Sequence, residues 1–392
     1  MSTHRPSPPR VSVIIPTYNR KALVQQAIDS VLSQTYPNYE ILVVDDGSRD
    51  GTREALVSRY GDRISYHWQE NQGESVARNV GISMAQGEYV GFLDDDDVYL
   101  PRMLQVAIDF LDHTPDVGML SVQSLMITES GEILENVGVD RDTDGLVDAE
   151  ELLLKTVVLP SNSIVRRATL ATSGVFDTSV RYGEDGDLNR RIFACTRIYY
   201  LAEPLVALRA SDNKQSGHIL DPDKAWHRYS DLKVTLSKID NHPLFQAQMP
   251  RLWAQVKARF ALNLLAHDDV QRGEALLSEV CELDSSDWFF TNIMRDLVLP
   301  YIEAIDDERG IEDATRYADC IFRIVASSNA FDPKWKRVLL GEFHFKRFFR
   351  RASRQDWSGM RYSYVRAIAY DPTCVKNRGM HSFYVRSFLP RR

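Results

Sequence analysis

The chain has 392 residues and a formal net charge of −8, with 44% hydrophobic and 26% charged residues. It is too long for one typical core, so we predict two globular domains. It has no run of about 18 apolar residues, which excludes a transmembrane helix, and the polar segment 1–10 lacks the apolar stretch of a signal peptide. The cysteines lie far apart without zinc-binding spacing, which is typical of a cytosolic protein with reduced thiols.

Short apolar runs alternate with helical patterns in the first half of the chain. We predict strands in the runs 11–15, 39–44, 64–68 and 89–93. We predict helices in the amphipathic segments 21–34, 51–60 and 75–85. Strands that alternate with short helices favour an α/β fold, in which helices cover a mostly parallel sheet. From residue 221 onward, apolar residues recur at helical spacing, which predicts an α-helical C-terminal domain.

Polar residues collect where three of these predicted strands end. Thr17 and Tyr18 follow the first strand, Asp45 and Asp46 follow the second, and four consecutive aspartates at 94–97 follow the fourth. Because the carboxyl ends of parallel strands share one edge of a sheet, we expect these side chains to line a crevice. Four adjacent carboxylates repel one another, and a hard cation such as Mg²⁺ or Mn²⁺ would offset their charge. The alternative is an acidic surface loop that precedes a helix.

Five segments carry a family resemblance. The glycine-rich dinucleotide motif and the P-loop are both absent, which argues against a dinucleotide enzyme or a P-loop ATPase. Four segments resemble, in order and spacing, the motifs of GT-A fold, family 2 glycosyltransferases: VSVIIPTYNR at 11–20, VVDDGSRDGT at 43–52, NQGESVARNVG at 71–81 and FLDDDD at 92–97. A later segment, 182–190, resembles the Glu-Asp motif of that family.

The resemblance implies a fold and an activity. It implies a GT-A catalytic domain at 9–220, with a mixed, mostly parallel sheet, followed by the helical domain at 221–392. It also implies an inverting, metal-dependent glycosyltransferase of the hexosyl-transfer type. Such an enzyme moves a sugar from a UDP-, GDP- or dTDP-type nucleotide-diphospho-sugar to a hydroxyl of a glycan or lipid-linked acceptor, with Mn²⁺ or Mg²⁺ as cofactor. The implied setting is polysaccharide or glycan biosynthesis in the cytoplasm.

The resemblance also implies residues that bind the donor. Asp46 corresponds to the carboxylate that accepts a hydrogen bond from the nucleobase, and a carboxylate could read an N–H of uracil, thymine or guanine. Thr17 and Tyr18 correspond to neighbours of the base and ribose, and Arg78 to a residue near the phosphates. The alternatives are that Asp46 caps the helix after Gly47, that Tyr18 only packs, and that Arg78 is a surface arginine.

The aspartate run corresponds to the metal site of the family. Asp94 and Asp96 form its D-x-D motif, with Asp96 as the direct metal ligand, and Asp95 would hold the ribose or the sugar. A shift of one residue in this register stays open, because all four residues are aspartates. His218 is a candidate for a further metal ligand, and the alternative is a solvated loop histidine.

Inverting transfer needs one general base to take the proton of the acceptor hydroxyl. Asp185 is at the position of that base in the family, and Glu184 is its competitor or would orient a substrate hydroxyl. The alternative is that these carboxylates cap a helix at 188–194, a role that Asp187 suits better. Two other functions stay open: a nucleotidyltransferase of related fold, although a glycine-rich basic N-terminal loop is lacking, and a non-catalytic nucleotide-sugar-binding scaffold.

The C-terminal end is basic and aromatic. Residues 334–392 contain 15 Lys and Arg against 3 Asp and Glu, a balance of +12, so residues 1–333 carry −20. One interpretation is an amphipathic segment that holds the enzyme at the inner face of the membrane, near lipid-linked acceptors. The other is a basic face that packs on the acidic catalytic domain. We expect no nucleic-acid partner, because no recognised binding motif is present.

Overall fold

The structure is a computed structural model. It describes residues 8–134, 141–154, 158–210, 222–283, 298–326 and 334–372, together with the single positions Cys374, Asn377 and Met380. The chain divides into two compact units: residues 1–214 with 230–248, and residues 215–229 with 249–392. The segment 230–248 thus belongs to the first unit, although it lies beyond residue 220, where the sequence suggested a boundary.

The first unit contains one mixed β-sheet. Its strands are β1 Val11–Thr17, β2 Tyr39–Asp45, β3 Ser65–Trp68, β4 Tyr89–Phe92, β5 Val98–Tyr99, β6 Val117–Ile127, β7 Gly145–Leu146, β8 Ser163–Arg166 and β9 Arg197–Arg209. Their order is β3-β2-β1-β4-β8-β6-β9-β5, and β7 pairs with β9. The run β3-β2-β1-β4 is parallel, as is the β6–β9 pair, whereas β8 is antiparallel to β4 and β6.

Helices flank this sheet. They are α1 Lys21–Leu32, α2 Thr52–Tyr60, α3 Glu74–Met84, α4 Met103–His113, α5 Ala149–Leu154, α6 Arg167–Ser173 and α7 Glu184–Cys195. Helix α8, Pro222–Ser237, spans residues of both units. The predicted α/β fold with a mixed, mostly parallel sheet is confirmed.

The apolar runs form strands because both of their faces are covered. Val13 and Ile15 of β1 belong to one buried cluster, and the intervening Ile14 belongs to a second cluster that includes Leu42 and Val90. A strand buried on both faces reads as a continuous apolar run, as these do. The register sets Thr17 opposite Asp45 and Ile14 opposite Phe92, so the polar residues that follow β1, β2 and β4 meet at one edge.

Helix α7 differs from its prediction. It begins at Glu184, four residues before the predicted start at 188, after Gly183 in the left-handed conformation with φ +82°. The predicted capping role of Asp187 is therefore wrong, because this residue lies inside the helix. Its buried carboxylate accepts hydrogen bonds from Arg191 and Lys238 instead. Asp185 lies in the first turn of the helix.

The second unit is helical in its described residues. Its helices are α9 Met249–Ala266, α10 Val270–Leu283, α11 Leu299–Arg309, α12 Ile311–Ala326, α13 Lys334–Ser353 and α14 Trp357–Tyr370. Helices pack in consecutive pairs, α9 with α10, α11 with α12 and α13 with α14. In the part of the chain that the structure describes, no helix combines the length and the apolar character that a membrane crossing requires.

The basic helix α13 pairs with acidic residues of α11 inside this unit. Arg347 and Arg351 bind Asp306, whose side chain is fully buried. Arg350 and Arg354 bind Asp307 at 3.5 and 2.9 Å. Neither interpretation of the basic segment anticipated this arrangement, in which four of its arginines share two carboxylates of α11.

Candidate active site

A cavity of about 570 Å³ lies at the carboxyl ends of β1, β2 and β4. Most of the predicted site residues line it, including Thr17, Tyr18, Asp46, Asp94, Asp95, Asp96 and Asp185. Arg78 and Glu184 are not among the lining residues. His218 lies outside the described residues.

Asp46 organises the turn that leads into helix α3. Its Oδ1 accepts hydrogen bonds from Gln69 Nε2 at 2.7 Å and from the Gln72 N–H at 2.9 Å. Its Oδ2 accepts one from the Gly73 N–H at 2.8 Å. Since α3 begins at Glu74, Asp46 ties the end of β2 to the start of this helix. The alternative that Asp46 caps the helix after Gly47 is wrong, because its partners lie elsewhere.

The two neighbouring carboxylates, Asp45 at the end of β2 and Asp50 in the loop after it, are also bound by groups of the chain. Asp45 accepts hydrogen bonds from the Ser48 N–H at 2.7 Å and from the Tyr66 hydroxyl at 2.6 Å. Asp50 accepts the Thr52 N–H at 3.1 Å in the first turn of α2. The loop after β2 is therefore held by its own side chains, and Asp50 binds the first N–H of α2 although Gly51 is the N-cap residue.

The four aspartates differ in exposure, and two of them, Asp95 and Asp97, are buried. Asp95 is buried, accepts the Thr17 hydroxyl at 2.7 Å and pairs with Arg20 at 2.9 Å. Asp97 is buried and accepts the Arg209 N–H at 2.9 Å. Burial raises the pKa of Asp95. Burial, aided by the charge of Asp94, raises the pKa of Asp97 to about 7.

Asp94 and Asp96 are the more accessible members, with 30% and 24% of their side chains exposed. Asp94 Oδ1 accepts Arg78 at 2.8 Å, and Asp96 Oδ2 accepts Arg20 at 3.1 Å. Among the described residues, the other oxygen of each carboxylate accepts no hydrogen bond from the protein. The two accessible carboxylates, Asp94 and Asp96, are the two aspartates of the predicted D-x-D motif.

Asp94 and Asp96 suit a metal ion whose remaining ligands come from substrate phosphates and water. No group of three or more His, Cys, Asp or Glu side chains able to hold a metal ion occurs in the described ranges. Mg²⁺ is commonly held by one or two carboxylates together with substrate phosphates and water. One oxygen each from Asp94 and Asp96 would supply the protein part of such a ligand set, and the oxygen-only chemistry suits Mg²⁺ and Mn²⁺.

Arg78 lies beneath the carboxylates and not on the surface. Its side chain is 1% exposed, so the alternative of a surface arginine is wrong. Nη2 binds Glu74 at 2.5 Å and Asp94 at 2.8 Å, and Nη1 binds Asp185 at 3.2 Å. The guanidinium lies over the ring of Phe176, 5.2 Å from its centroid. These contacts differ from the predicted phosphate contact, because the nitrogens point at carboxylates of the chain itself.

Asp185 lines the cavity from the first turn of α7, with 31% of its side chain exposed. Burial raises its pKa to about 7, and the charges of Glu184 and Asp94 add to this effect against the opposing charge of Arg78. The Oε1 of Glu184 is 3.8 Å from Arg78 Nη1, and its side chain is 17% exposed. The two adjacent carboxylates thus share one arginine, but Asp185 is the one that reaches the cavity.

Sequence reasoning missed two residues of this site. Arg20 bridges Asp95 and Asp96 at the rim, and it follows Asn19, which has a left-handed φ of 53°. The position of Arg20 inside the first family motif was a usable signal. Ser161 accepts the Asp94 N–H at 3.0 Å, and its 67-residue separation from that aspartate gave no local signal.

Comparisons with known proteins indicate the family of the chain. The family described as "Glycosyl transferase family 2" matches residues 12–167. An uncharacterised glycosyltransferase of Rickettsia typhi is 33% identical over 216 residues, which are 54% of this chain and 68% of that protein. A Bacillus subtilis glycosyltransferase, TuaG, named as a candidate for teichuronic acid biosynthesis, is 42% identical over 106 residues, or 26% of this chain and 42% of that protein.

The chain spans 31% to 64% of the length of four further Rickettsia relatives. Among solved structures, S. aureus TarS matches with a TM-score of 0.53 at 20% identity, over 81% of this chain and 55% of that chain. At such identity the likeness shows the fold alone. Together with the family match and the R. typhi relative, these findings mean that the chain belongs to glycosyl transferase family 2.

Proposed function

We propose that this chain transfers a hexosyl group, with inversion, from a nucleotide-diphospho-sugar to an acceptor hydroxyl in a metal-dependent single displacement. The observation that supports this proposal most is that Asp94 and Asp185 bind the same arginine. Arg78 binds Asp94 with one nitrogen and Asp185 with the other. The candidate metal carboxylate and the candidate base therefore line the same 570 Å³ cavity at a set spacing.

Asp185 is the proposed general base. In the transfer it would take the proton of the acceptor hydroxyl while the oxygen bonds to the anomeric carbon and the bond to the diphosphate breaks. A carboxyl group with a pKa of about 7 is half deprotonated near neutral pH and is well matched to accept that proton. Glu184, beside it, remains the candidate for orienting a substrate hydroxyl.

Asp94 and Asp96 would hold the Mn²⁺ or Mg²⁺. When bound, this ion would neutralise the diphosphate leaving group. Arg20 pairs with Asp95 at 2.9 Å and with Asp96 at 3.1 Å, and because 51% of its side chain is exposed it would also be within reach of an arriving phosphate. His218 stays a predicted additional ligand, outside the described residues.

The nucleobase end of the proposed donor site is formed by the loops after β1 and β2. Asp46 Oδ2 accepts one hydrogen bond from the chain, so one acceptor position remains for an N–H of the base. Tyr18 is 48% exposed at the rim, where its ring is available for stacking. Thr17 holds Asp95 in place, and Asp95 is the candidate contact for the ribose or sugar. This chemistry suits UDP, GDP and dTDP donors alike.

For the setting, we propose polysaccharide or glycan biosynthesis with a glycan or lipid-linked acceptor. The name of the B. subtilis relative, teichuronic acid biosynthesis, supports this proposal. A cytoplasmic location and peripheral membrane contact stay predictions. The pairing of α13 with α11 leaves fewer unpaired charges for a membrane surface than the sequence suggested. Co-sedimentation with anionic vesicles would test that contact.

The test is a transfer assay with Mn²⁺ and a panel of UDP-, GDP- and dTDP-sugars, with NMR identification of the product anomer. We expect one donor class to react with inversion. Asp185→Asn should lower the rate by about 10²–10⁴-fold, the usual contribution of a general base. Rates near wild type in this variant would overturn the assignment of the base. Release of pyrophosphate from a nucleoside triphosphate and a sugar phosphate would indicate the nucleotidyltransferase instead.

A further inference from the structure

The loop that precedes the proposed base is tied to a distant helix. The backbone N–H groups of Arg181 and Tyr182 both donate to Oδ2 of Asp231, each at 3.0 Å. Asp231 lies on α8, 49 residues after Tyr182 in the chain, within the part of this helix that belongs to the first unit. Two successive N–H groups that point at one oxygen form a small anion-binding concavity, which a carboxylate fills well.

This anchor lies directly before the turn that sets the direction of α7. Gly183 follows with a φ of +82°, a left-handed conformation that glycine adopts without strain. The helix begins at Glu184, and Asp185 is its second residue. The two anchored N–H groups therefore lie three and four residues before Asp185, and any shift of the loop changes where this carboxylate points.

Lys238, the residue after the end of α8, contacts α7 on the other side of Asp185. Lys238 binds Asp177 at 2.7 Å and Asp187 at 2.9 Å. Asp187 is buried in α7, two residues after Asp185. Asp177 directly follows Phe176, whose ring lies under the arginine that binds Asp185. The segment 230–238 thus contacts the chain on both sides of the proposed base.

We infer that Asp231 is a positioning residue for the transfer reaction, which holds the loop 181–183 so that Asp185 faces the acceptor hydroxyl. The inference rests on the proposed function, because it needs Asp185 to act as the base. By this inference, the segment 230–238, which follows all of the family motifs in the chain, contributes to the catalytic apparatus. Asp231 touches backbone and not substrate, so it acts only through Asp185.

The size of the effect follows from how closely a base must be placed. Catalytic groups need positioning to within about 0.5 Å, and a misplacement of about 1 Å costs about 100-fold in rate. Loss of both hydrogen bonds should therefore lower kcat by about 10- to 100-fold. Donor binding should be unaffected, since the donor site is formed by the loops after β1, β2 and β4.

The experiment compares four proteins in the transfer assay and in donor titrations: wild type, Asp231→Ala, Asp231→Asn and Asp231→Glu. Both N–H groups bind a single oxygen, and asparagine keeps an oxygen that is able to accept both. We expect the Asn variant to retain kcat within about threefold and the Ala variant to show the 10- to 100-fold decrease. The Glu variant should also have a lower kcat, because its longer side chain moves the oxygen. The Kd for donor should be equal in all four.

Two further measurements separate positioning from general destabilisation. Ile108→Val, in the buried face of α4, should lower the melting temperature while leaving kcat unchanged. Hydrogen exchange of a peptide covering 176–188 should speed up in the Ala variant but not in the Asn variant. This readout does not depend on activity, and it also serves if the Ala variant folds poorly, because the Glu variant provides the same comparison.

The outcomes are distinct. Absence of transfer by the wild-type chain with every donor would be a failure of the proposed function, whatever Asp231 does. An active wild type with Ala and Glu variants of equal kcat would overturn the positioning role and leave the proposed function intact. An Asn variant as defective as Ala would also overturn it, since the charge and not the two hydrogen bonds would then matter.

Discussion

Each unit of the molecule contains a buried arginine cluster, and the two clusters differ in their balance of charge. In the first unit a single guanidinium, that of Arg78, faces four carboxylates. They are Glu74 at 2.5 Å, Asp94 at 2.8 Å, Asp185 at 3.2 Å and Glu184 at 3.8 Å. Negative charge is in excess, and three of these carboxylates, Glu74, Asp94 and Asp185, border an open cavity.

In the second unit the charges balance, because Arg347 and Arg351 face Asp306 while Arg351 also pairs with Asp356 at 3.4 Å. Asp306 accepts Arg347 at 2.9 and 3.0 Å and Arg351 at 3.2 Å. Nη1 of Arg347 donates to the Gly359 carbonyl and to the Ser363 hydroxyl. This cluster joins α11, α13 and α14, and none of these residues lines a described cavity.

The comparison shows how a functional cluster of charged residues differs from a cluster that only stabilises the fold, although both contain arginine and aspartate. A buried ion pair with satisfied partners stabilises packing, and breaking it costs stability. A buried cluster with surplus charge of one sign next to a cavity is instead incomplete, and it favours a ligand of the opposite sign. By this criterion the Arg78 cluster is the functional one.

The largest expected effect comes from removing each arginine. Arg78→Met should lower the transfer rate by at least about 100-fold, because Asp94 and Asp185 lose the group that spaces them. Arg347→Met should lower the free energy of unfolding by about 3–5 kcal/mol and leave kcat per folded molecule unchanged. Denaturant unfolding and kcat are measured on both variants. A comparable loss of kcat in Arg347→Met would contradict the comparison.

Neutralising one aspartate in each cluster should separate them by stability. Asp306→Asn removes the carboxylate that binds the buried Arg347 and should cost about 3–5 kcal/mol. Asp94→Asn relieves repulsion among carboxylates while Arg78 keeps its other partners, so the free energy of unfolding should change by less than about 1 kcal/mol. Its transfer rate should still fall strongly. Equal destabilisation in both variants would show that surplus charge does not distinguish the clusters.

The pH dependence of the reaction should reflect Asp185. Burial raises the pKa of this carboxyl to about 7, and only its deprotonated form accepts a proton. The rate of transfer should therefore rise with pH and level off above about pH 7, with a tenfold fall per pH unit well below it. The residual rate of Asp185→Asn should lack this limb. An acid limb centred near pH 4 would mean that burial does not control the base.

The smallest effects should come from one serine in each cluster. Ser161→Ala removes the acceptor of the Asp94 N–H, and Ser363→Ala removes an acceptor of Arg347. Each should cost about 1 kcal/mol in the free energy of unfolding. Only Ser161→Ala should raise the concentration of Mn²⁺ needed for half-maximal transfer. A change in metal requirement for Ser363→Ala would argue against the assignment of the second cluster as structural.

Local patterns determined a large part of the fold. The apolar runs of β1, β2 and β4 and the amphipathic helices α1, α2 and α3 were predictable, because strand and helix periodicities are properties of neighbouring residues. The carboxyl ends of parallel strands meet at one edge whatever else the chain does. The crevice of Thr17, Asp46 and the aspartate run could therefore be predicted from the sequence alone.

Tertiary structure decided the electrostatics. Arg78 is buried against Asp185, 107 residues away, and this contact rather than any local pattern sets its role. Asp231 reaches the base loop across 49 residues, and Asp306 binds two arginines of a helix that appears strongly basic in the sequence. The physical reason is that charge and hydrogen-bond pairing depend on distance in space, whereas periodicity depends on distance along the chain.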